Sequence, residues 1–190
     1  NHEFTYDGGA ATYFGPAGSY DTIKKTSSDT YTLYDNYGNQ TLFTVKETTT
    51  DTDIKVAYID TQIDRNNNKV KYTYNESNQL VSITTDLGAS LNKKLEFNYN
   101  TSGFISKLTY DGKEIAFRYN ANGYLAYVDI LKNTAGERTT TQFIYSDNRL
   151  ITIKDPNGRK TDFTYENGNL VKLQEPLEVN GVRDPSDRPG

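Results

Sequence analysis

Very few side chains in this sequence are of a type that could catalyse a reaction. The only histidine among the 190 residues is His2, which lies close to the amino terminus, where chains commonly fray. A histidine-based triad or histidine-rich metal site therefore cannot be assembled. The absence of cysteine removes thiol nucleophiles, disulfides and metal-thiolate sites. Neither Gly-x-Ser-x-Gly nor a glycine-rich phosphate loop is present, so the sequence predicts a protein that is not an enzyme.

Two pairs of neighbouring carboxylates are the remaining candidates for acid-base chemistry. Asp51 lies near Asp53, and Asp184 lies near Asp187. Both pairs are in polar linker sequence, where carboxylates usually serve as solvated surface charge. We therefore assign them no catalytic role.

One short segment resembles a metal-binding loop. Asp64-Arg-Asn66-Asn-Asn68 reproduces the first three ligand positions of a calcium loop. Such a loop continues with Gly at its sixth position and Glu at its twelfth, where this chain has Lys69 and Asn75. A turn rich in Asx residues explains the same segment without an ion. We predict no cofactor, and the sequence alone leaves a weak calcium site at 64–68 open.

Composition limits the classes of partner. The formal net charge is −4, and the pairs Lys24-Lys25 and Lys93-Lys94 are isolated, whereas nucleic-acid binding usually needs a basic stripe. No run of 18 apolar residues is present, so we expect no membrane insertion. The chain has no methionine, from which we expect a piece processed from something longer.

A tyrosine-centred repeat recurs five times between Val70 and Leu173. Each copy has an aromatic residue, one variable residue, an anchor tyrosine, a short polar turn, and then two aliphatic residues separated by two others. Recurrence at this period indicates a repeat architecture. The aromatic-and-anchor pairs are Tyr72 with Tyr74, Phe97 with Tyr99, Phe117 with Tyr119, Phe143 with Tyr145, and Phe163 with Tyr165.

Each copy is typical of a β-hairpin. Side chains alternate along a strand, so the two rings share one face, and the residue between them, for example Arg118, faces the other way and is expected to matter little for stability. The Asn-, Ser- and Gly-rich run is a turn. The spacing of Leu80 and Ile83 breaks strict alternation and predicts a twist or a bulge in the return strand.

The hairpins together predict an all-β fold. Successive anchor tyrosines are 25, 20, 26 and 20 residues apart, so long and short connections alternate. We expect tandem antiparallel hairpins in one continuous, curved, open sheet. Residues 1–62 are expected to form lead-in hairpins that cap it, residues 63–174 the five repeats, and residues 175–190, rich in Pro and Asp, a disordered tail.

At two segments the repeat resembles a known family. Asp155-Pro-Asn-Gly-Arg159 followed by Phe163-x-Tyr165, and Ile63-Asp-Arg-Asn before the first copy, are similar to the YD repeats of RHS (rearrangement hotspot) proteins. The Asn-, Lys-, Thr- and Asp-rich composition resembles their wall-associated Gram-positive branch. Choline-binding and clostridial-toxin repeats are the main rival, but those arrays stack Trp with Tyr, and this chain has no Trp.

The resemblance implies a non-enzymatic segment of a cell-surface protein whose repeats form a β-shell around a C-terminal toxin. It also implies a secreted or wall-bound location, and partners that are further repeats and a toxin domain of the same parent chain. The alternative is an adhesive module that binds wall or host carbohydrate. Shell assembly requires buried anchor tyrosines, whereas a binder requires a line of exposed ones. Unpaired edge strands could also lead to self-association.

Overall fold

All regular structure in the computed structural model is β-strand. The model describes residues 4–9, 11–48, 55–88, 91–132 and 136–175, and no helix occurs among them. The predicted carboxylate pairs, His2 and residues 176–190 of the tail lie outside the described residues. The strands are β1 (Thr5–Asp7), β2 (Thr12–Phe14), β3 (Thr22–Lys25), β4 (Thr30–Tyr34), β5 (Gln40–Thr48), β6 (Lys55–Ile63), β7 (Lys69–Tyr74), β8 (Leu80–Asp86), β9 (Lys94–Tyr99), β10 (Ile105–Tyr110), β11 (Lys113–Tyr119), β12 (Leu125–Leu131), β13 (Arg138–Ser146), β14 (Arg149–Lys154), β15 (Lys160–Glu166) and β16 (Asn169–Gln174).

The strands follow one another in sequence order, and each strand pair whose register is described is antiparallel. Strand order in the sheet runs from β1 to β16. The chain divides into two compact units, residues 1–97 and residues 98–190. The first contains β1 to β8 and most of β9, and the second contains β10 to β16. This topology confirms the predicted all-β fold of tandem antiparallel hairpins in an open sheet.

Among the described residues, six hairpin loops share one construction, in which the first residue is Asp or Asn. Its side-chain oxygen accepts hydrogen bonds from the backbone N–H groups two and four residues later, as Asp155 does from Asn157 at 2.9 Å and Arg159 at 2.8 Å. The fourth residue has positive φ, such as 86° at Gly158, which glycine and asparagine tolerate. The six loops begin at Asp35, Asp64, Asn75, Asn100, Asn120 and Asp155.

Three further hairpins in the second unit close with two residues that both have positive φ. These are Asp111-Gly112, Asp147-Asn148 and Asn167-Gly168. Two successive positive φ angles define the type I′ turn, whose twist matches the twist of the flanking strands. The polar turn of each repeat is therefore specified locally by its Asn, Asp and Gly residues.

A register shift beside the anchor tyrosine marks the hairpins of four repeats. In the first, Thr73 pairs with Ser82 but Tyr74 pairs with Leu80, so Val81 is the extra residue of the return strand. Equivalent shifts place the extra residue at Ala126, Ile151 and Val171. The extra residue allows two aliphatic residues three positions apart to face the same side. The bulge predicted in the return strand is confirmed in these four hairpins.

Neither unit has a deeply buried apolar core within the described residues. The most buried side chains are polar: Thr12, Thr32, Thr61, Ser82 and Asp129. Tyrosine suits such a sheet, because its ring packs while its hydroxyl reaches a polar group or water.

Candidate functional site

The anchor tyrosines and their partner aromatics are all half-buried. The residue between the two rings is exposed in four copies, as at Thr73 and Thr164, and half-buried at Ile144. Cross-strand register places Tyr165 opposite Leu170 and Phe163 opposite Leu173. The rings and return-strand aliphatics thus share one face, which we call the tyrosine face of each unit. The rings are neither fully buried nor lined up in full exposure.

Each of four anchor tyrosines contacts a side chain that lies in the preceding strand or directly before its first residue. Ring centroids are 5.3 Å apart for Tyr58 and Tyr74, 4.9 Å for Phe104 and Tyr119, and 5.1 Å for Tyr124 and Tyr145. In the last repeat a guanidinium replaces the ring, with Arg149 5.8 Å from the centroid of Tyr165. Offset stacks, edge contacts and cations over rings are all favourable for an aromatic side chain.

One register rule accounts for all four contacts. In the β10–β11 ladder Lys107 pairs with Ala116, and extending that register brings Phe104 opposite Tyr119. The same extension of the β6–β7, β12–β13 and β14–β15 ladders brings the other three pairs opposite each other. We call the earlier residue of each pair the cap residue. In the repeats it is the residue immediately before the first return-strand aliphatic, as Phe104 is before Ile105.

The hydroxyls of two anchor tyrosines bond to the backbone beside the cap residue. Tyr74 donates to the carbonyl of Ile59 at 2.9 Å, and Tyr119 donates to the carbonyl of Ile105 at 2.8 Å. In both cases the acceptor directly follows the cap residue. Burial raises the pKa of Tyr74 above its ordinary value, and Tyr72 and Asp60 add to the shift. The Tyr74 hydroxyl therefore stays protonated and able to donate.

The opposite face of the second unit carries a polar network, which we call the Arg118 cluster: Arg118, Tyr127, Asp129, Thr140 and Gln142. Arg118 contacts Asp129 through two nitrogens, at 2.9 Å and 3.3 Å, and its guanidinium lies 4.1 Å from the ring centroid of Tyr127. Thr140 donates to Asp129 at 2.6 Å, and the Gln142 amide donates to the Tyr127 hydroxyl at 3.0 Å. Arg118 thus contacts two residues of β12, which alternation of side chains along β11 did not predict.

Asp129 is the most buried charged group among the described residues, with 7% of its surface exposed. Burial acts to raise its pKa, but hydrogen bonds from Thr140 and Arg118 and the charge of Arg118 outweigh burial, so its pKa lies below the ordinary value. The carboxylate is ionised near neutral pH, and its oxygens are engaged by Thr140 and Arg118. It serves as the centre of a cross-strand brace rather than as a proton acceptor for a substrate.

A second brace lies on the same face, around Glu114. Arg138 contacts the Glu114 carboxylate at 2.8 Å, and Lys107 contacts it at 3.5 Å. The hydrogen bond from Arg138 is the main cause that lowers the pKa of Glu114. Lys107 lies in β10 and Arg138 lies in β13, so the Glu114 carboxylate in β11 connects residues of three strands.

A shallow groove of about 390 Å³ lies beside the Arg118 cluster. Its wall includes Tyr127, Gln142, Lys154 and Asn157. Lys154 is half-buried, and no ion pair of it is seen in the part of the chain that the structure describes. The groove offers the Tyr127 side chain, an amide and an ammonium to a ligand. Thr140 and Asp155 also line it, but the Thr140 hydroxyl donates to Asp129 and the Asp155 carboxylate accepts hydrogen bonds from its own loop.

Asp64, the first residue of the calcium-like segment, has its carboxylate occupied by its own loop. It accepts hydrogen bonds from the backbone N–H groups of Asn66 and Asn68 and from the Asn68 side chain at 2.7 Å. The side-chain hydrogen bond from Asn68 is the main cause that lowers its pKa. Asp35 repeats this arrangement with Asn39, outside any calcium-like sequence. Within the described ranges no three acidic or histidine side chains cluster in a way that could hold a metal ion.

The cap residues were missed in reading the sequence. Phe104, Tyr124 and Arg149 differ in type, so no single residue marks the position. Their shared place, between the turn and the first aliphatic residue, was nevertheless available as a signal.

Among the described residues, none forms a helix long and apolar enough to cross a membrane.

Comparison with known proteins agrees with the repeat and the fold. The family model for the RHS Repeat matches residues 145–177. The crystal structure of TcdB2-TccC3-Cdc42 superimposes with a TM-score of 0.57 at 12% identity, over 86% of this chain and 9% of that chain. The present chain thus corresponds to a small part of that larger molecule. No curated protein matches the sequence. These findings confirm the predicted resemblance to RHS/YD-repeat proteins.

Proposed function

We propose that this chain, as an RHS/YD-repeat protein, is a non-enzymatic structural segment of a cell-surface protein, and that it contributes to a β-shell that encloses or presents a C-terminal toxin. The observation that carries the proposal is the recurring contact between an anchor tyrosine and the cap residue of the strand before it. That contact joins four of the hairpins to the strand or turn that precedes them, and a repeat array is stabilised by such interfaces between neighbouring units. The polar groups on the opposite face brace strands against each other rather than converge on a reacting centre.

The proposed partners and location follow from the same assignment. Further repeats and a toxin domain of the same parent chain are the partners, and the parent is secreted or held at the cell wall or surface of a Gram-positive bacterium. Support for further repeats as partners comes from the family match at 145–177 and from the small share of the larger structure that this chain covers, whereas the location rests only on the resemblance in composition.

The test uses the longer parent polypeptide. Tyr119→Ala and Tyr145→Ala together should open the array and make the region after the repeats sensitive to limited proteolysis. Thr164→Ala, which changes an exposed side chain, is the matched control and should leave the protection pattern unchanged. A C-terminal region that is digested equally in the parent, the control and the double variant would contradict enclosure.

Carbohydrate binding is the second candidate function, and the groove beside Tyr127 is the observation that favours it. Tyr127, Gln142, Lys154 and Asn157 combine an aromatic surface with hydrogen-bonding groups, as sugar sites commonly do. Retention of the purified chain on wall polysaccharide, abolished by Gln142→Ala with Lys154→Ala but not by Thr164→Ala, would favour this function. No retention above a neutral matrix would remove it.

A further inference from the structure

We propose that Asn167 is a site of covalent modification by deamidation, at which the backbone nitrogen of Gly168 displaces the side-chain amide as ammonia. The inference does not depend on the proposed function. Asparagine followed by glycine favours this reaction, because a residue without a Cβ lets the backbone nitrogen approach closely. The described residues contain three such pairs, and a fourth, Asn180-Gly181, lies outside them. The three are Asn122-Gly123, Asn157-Gly158 and Asn167-Gly168.

The reaction needs nothing beyond the chain and water. The Gly168 nitrogen attacks the side-chain carbonyl carbon of Asn167, so that a new C–N bond forms while the bond to the amide nitrogen breaks. The amide nitrogen leaves as ammonia with the proton that the Gly168 nitrogen gives up. Water then opens the cyclic imide at either carbonyl, which yields aspartate or isoaspartate. Both groups belong to neighbouring residues, so the attack is intramolecular and is fast once the geometry allows it.

Two of the three pairs are protected by the Asx loops that contain them. The Gly123 N–H donates to the carbonyl of Asn120 at 3.0 Å, and the Gly158 N–H donates to the carbonyl of Asp155 at 2.9 Å. Each of these bonds has to break before the nitrogen can lose its proton and turn toward the side chain. The first side chain of each loop also accepts hydrogen bonds from two backbone N–H groups, which hold the loop closed.

The third pair has no such protection. Asn167 and Gly168 form the exposed type I′ turn between β15 and β16, with φ of 48° and 88°. In the part of the chain that the structure describes, neither the Gly168 N–H nor the Asn167 side chain makes a hydrogen bond. The peptide between the two residues can therefore flip toward the type II′ geometry, which also fits a two-residue hairpin. The flip moves the attacking nitrogen relative to the side chain without breaking a hydrogen bond of that nitrogen.

The isoaspartate product would disturb the hairpin, because it places an extra carbon atom in the backbone of a two-residue turn. Turn length sets the register of a hairpin. The guanidinium of Arg149, the cap residue of Tyr165, lies 3.6 Å from the position that a Cβ on Gly168 would take. Deamidation thus changes the turn beside one cap contact. We expect isoaspartate to loosen β15 and β16, and aspartate, which leaves the backbone unchanged, to have little effect.

Ageing of the whole chain at mildly alkaline pH, followed by trypsin digestion and mass spectrometry, tests the site. Trypsin separates the three pairs into peptides 119–132, 155–159 and 161–172, and fragment ions distinguish Asn167 from Asn169. In the folded chain we expect Asn167 to deamidate about threefold to tenfold faster than the other two asparagines, the factor that corresponds to one backbone hydrogen bond. In concentrated urea the three rates should converge, because the loops are then lost.

Two variants test the protection directly. Asp155→Ala removes the carboxylate that holds one loop closed and should speed the deamidation of Asn157, and Asn120→Ala should do the same for Asn122. Neither variant should change the rate at Asn167. Unchanged rates at Asn157 and Asn122 would contradict protection by the loops.

Equal rates at the three sites in the folded chain would overturn the inference. A lead of Asn167 that persists in urea would also overturn it, because sequence alone would then explain the difference. Hydrogen exchange of the β15 and β16 amides tests the consequence. Exchange in Asn167→Asp should match that of the unmodified chain, whereas the aged chain that carries isoaspartate should exchange faster. Equal exchange in the two would show that the modified turn still closes the hairpin.

Discussion

Single hydroxyl and carboxylate groups add contacts between neighbouring strands to the backbone ladders of this protein, whose described part has no deep apolar core. A half-buried ring gains less from burial than a fully buried one, so the hydrogen bond at its end carries a larger share of the stabilisation. Tyr119 illustrates this, with its ring stacked on Phe104 and its hydroxyl bonded to Ile105.

Removing one hydroxyl should therefore be measurable. Tyr119→Phe is expected to lower the free energy of unfolding by about 1 kcal/mol, the usual net value of a partly buried hydrogen bond. Tyr145→Phe is the matched control, because its ring is also stacked but no hydrogen bond of its hydroxyl is seen among the described residues. Urea unfolding of both variants provides the comparison. Equal losses would mean that the bond to Ile105 contributes nothing.

Arg118 shows what alternation of side chains alone could not predict. The pattern correctly placed Arg118 on the face opposite the rings, and its side chain is 56% exposed. However, its partners Tyr127, Asp129 and Thr140 come from β12 and β13, and their positions depend on the bulge and on strand register. Neither feature can be read from Arg118 and its sequence neighbours.

Arg118→Ala should consequently cost more than an ordinary surface change. The substitution leaves Asp129 with less compensation for its burial, and we expect a loss of about 1 kcal/mol. Thr164→Ala, at the equivalent position of another repeat, should cost less than about 0.5 kcal/mol. A urea unfolding midpoint for Arg118→Ala that matches that of Thr164→Ala would show that the cluster does not stabilise the fold.

At the scale of hairpins, the Asp and Asn residues that begin the six loops fix the loop geometry. The Asp carboxylates among them also make the stability of the fold depend on pH. Three of the six Asx loops begin with Asp35, Asp64 or Asp155 and three with Asn75, Asn100 or Asn120. In Asp35 and Asp64 the Asn four residues later is the main cause of a lowered pKa. In Asp155 desolvation opposes ionisation, but bonds from Arg159 and Asn157 prevail and lower the pKa.

These lowered pKa values predict loss of stability in acid. A carboxyl group whose pKa is lower in the folded state stabilises the fold fully above its unfolded pKa, near 3.8. That contribution disappears as pH falls from there through the folded pKa. Asp155→Asn keeps the acceptor oxygen that Asn75, Asn100 and Asn120 use, but it cannot titrate.

We therefore expect Asp155→Asn to lose less stability than the unmodified chain between about pH 5 and about pH 2. Thermal unfolding across that range provides the measurement, with Asp162→Asn, a carboxylate in β15 rather than in a loop, as the matched control. Parallel pH curves for the chain and for Asp155→Asn would show that the loop carboxylate is not a source of acid sensitivity.

Elements of this fold were more predictable from sequence than their contacts. Local residues specify the hairpins: Asn, Asp and Gly fix the turns, and the spacing of Leu80 and Ile83 reports the bulge. The cap contacts join different repeats, and their residue types vary from Phe104 to Arg149. They depend on the register between hairpins, which follows only once both the bulge and the connecting turn are known. The half-burial of the rings could not be predicted either, because a repeat seen alone does not show how much of each ring its neighbours cover.

At the scale of the molecule, the central claim is that anchor tyrosines and cap residues couple successive repeats into one array. A repeat array gains stability from the interfaces between neighbours as well as from each unit. If the cap contacts form those interfaces, two residues in contact must be coupled energetically, and two residues that only share the fold must not.

A double-mutant cycle on Phe104→Ala and Tyr119→Ala tests this claim most directly, with unfolding in urea as the measurement. We predict a coupling free energy of about 0.5 to 1.5 kcal/mol, as for other aromatic pairs. Phe104→Ala combined with Tyr145→Ala, whose ring stacks on Tyr124 instead, should be additive within about 0.5 kcal/mol. Additive losses in the first cycle would contradict the account, because Phe104 and Tyr119 would then stabilise their own hairpins without joining them.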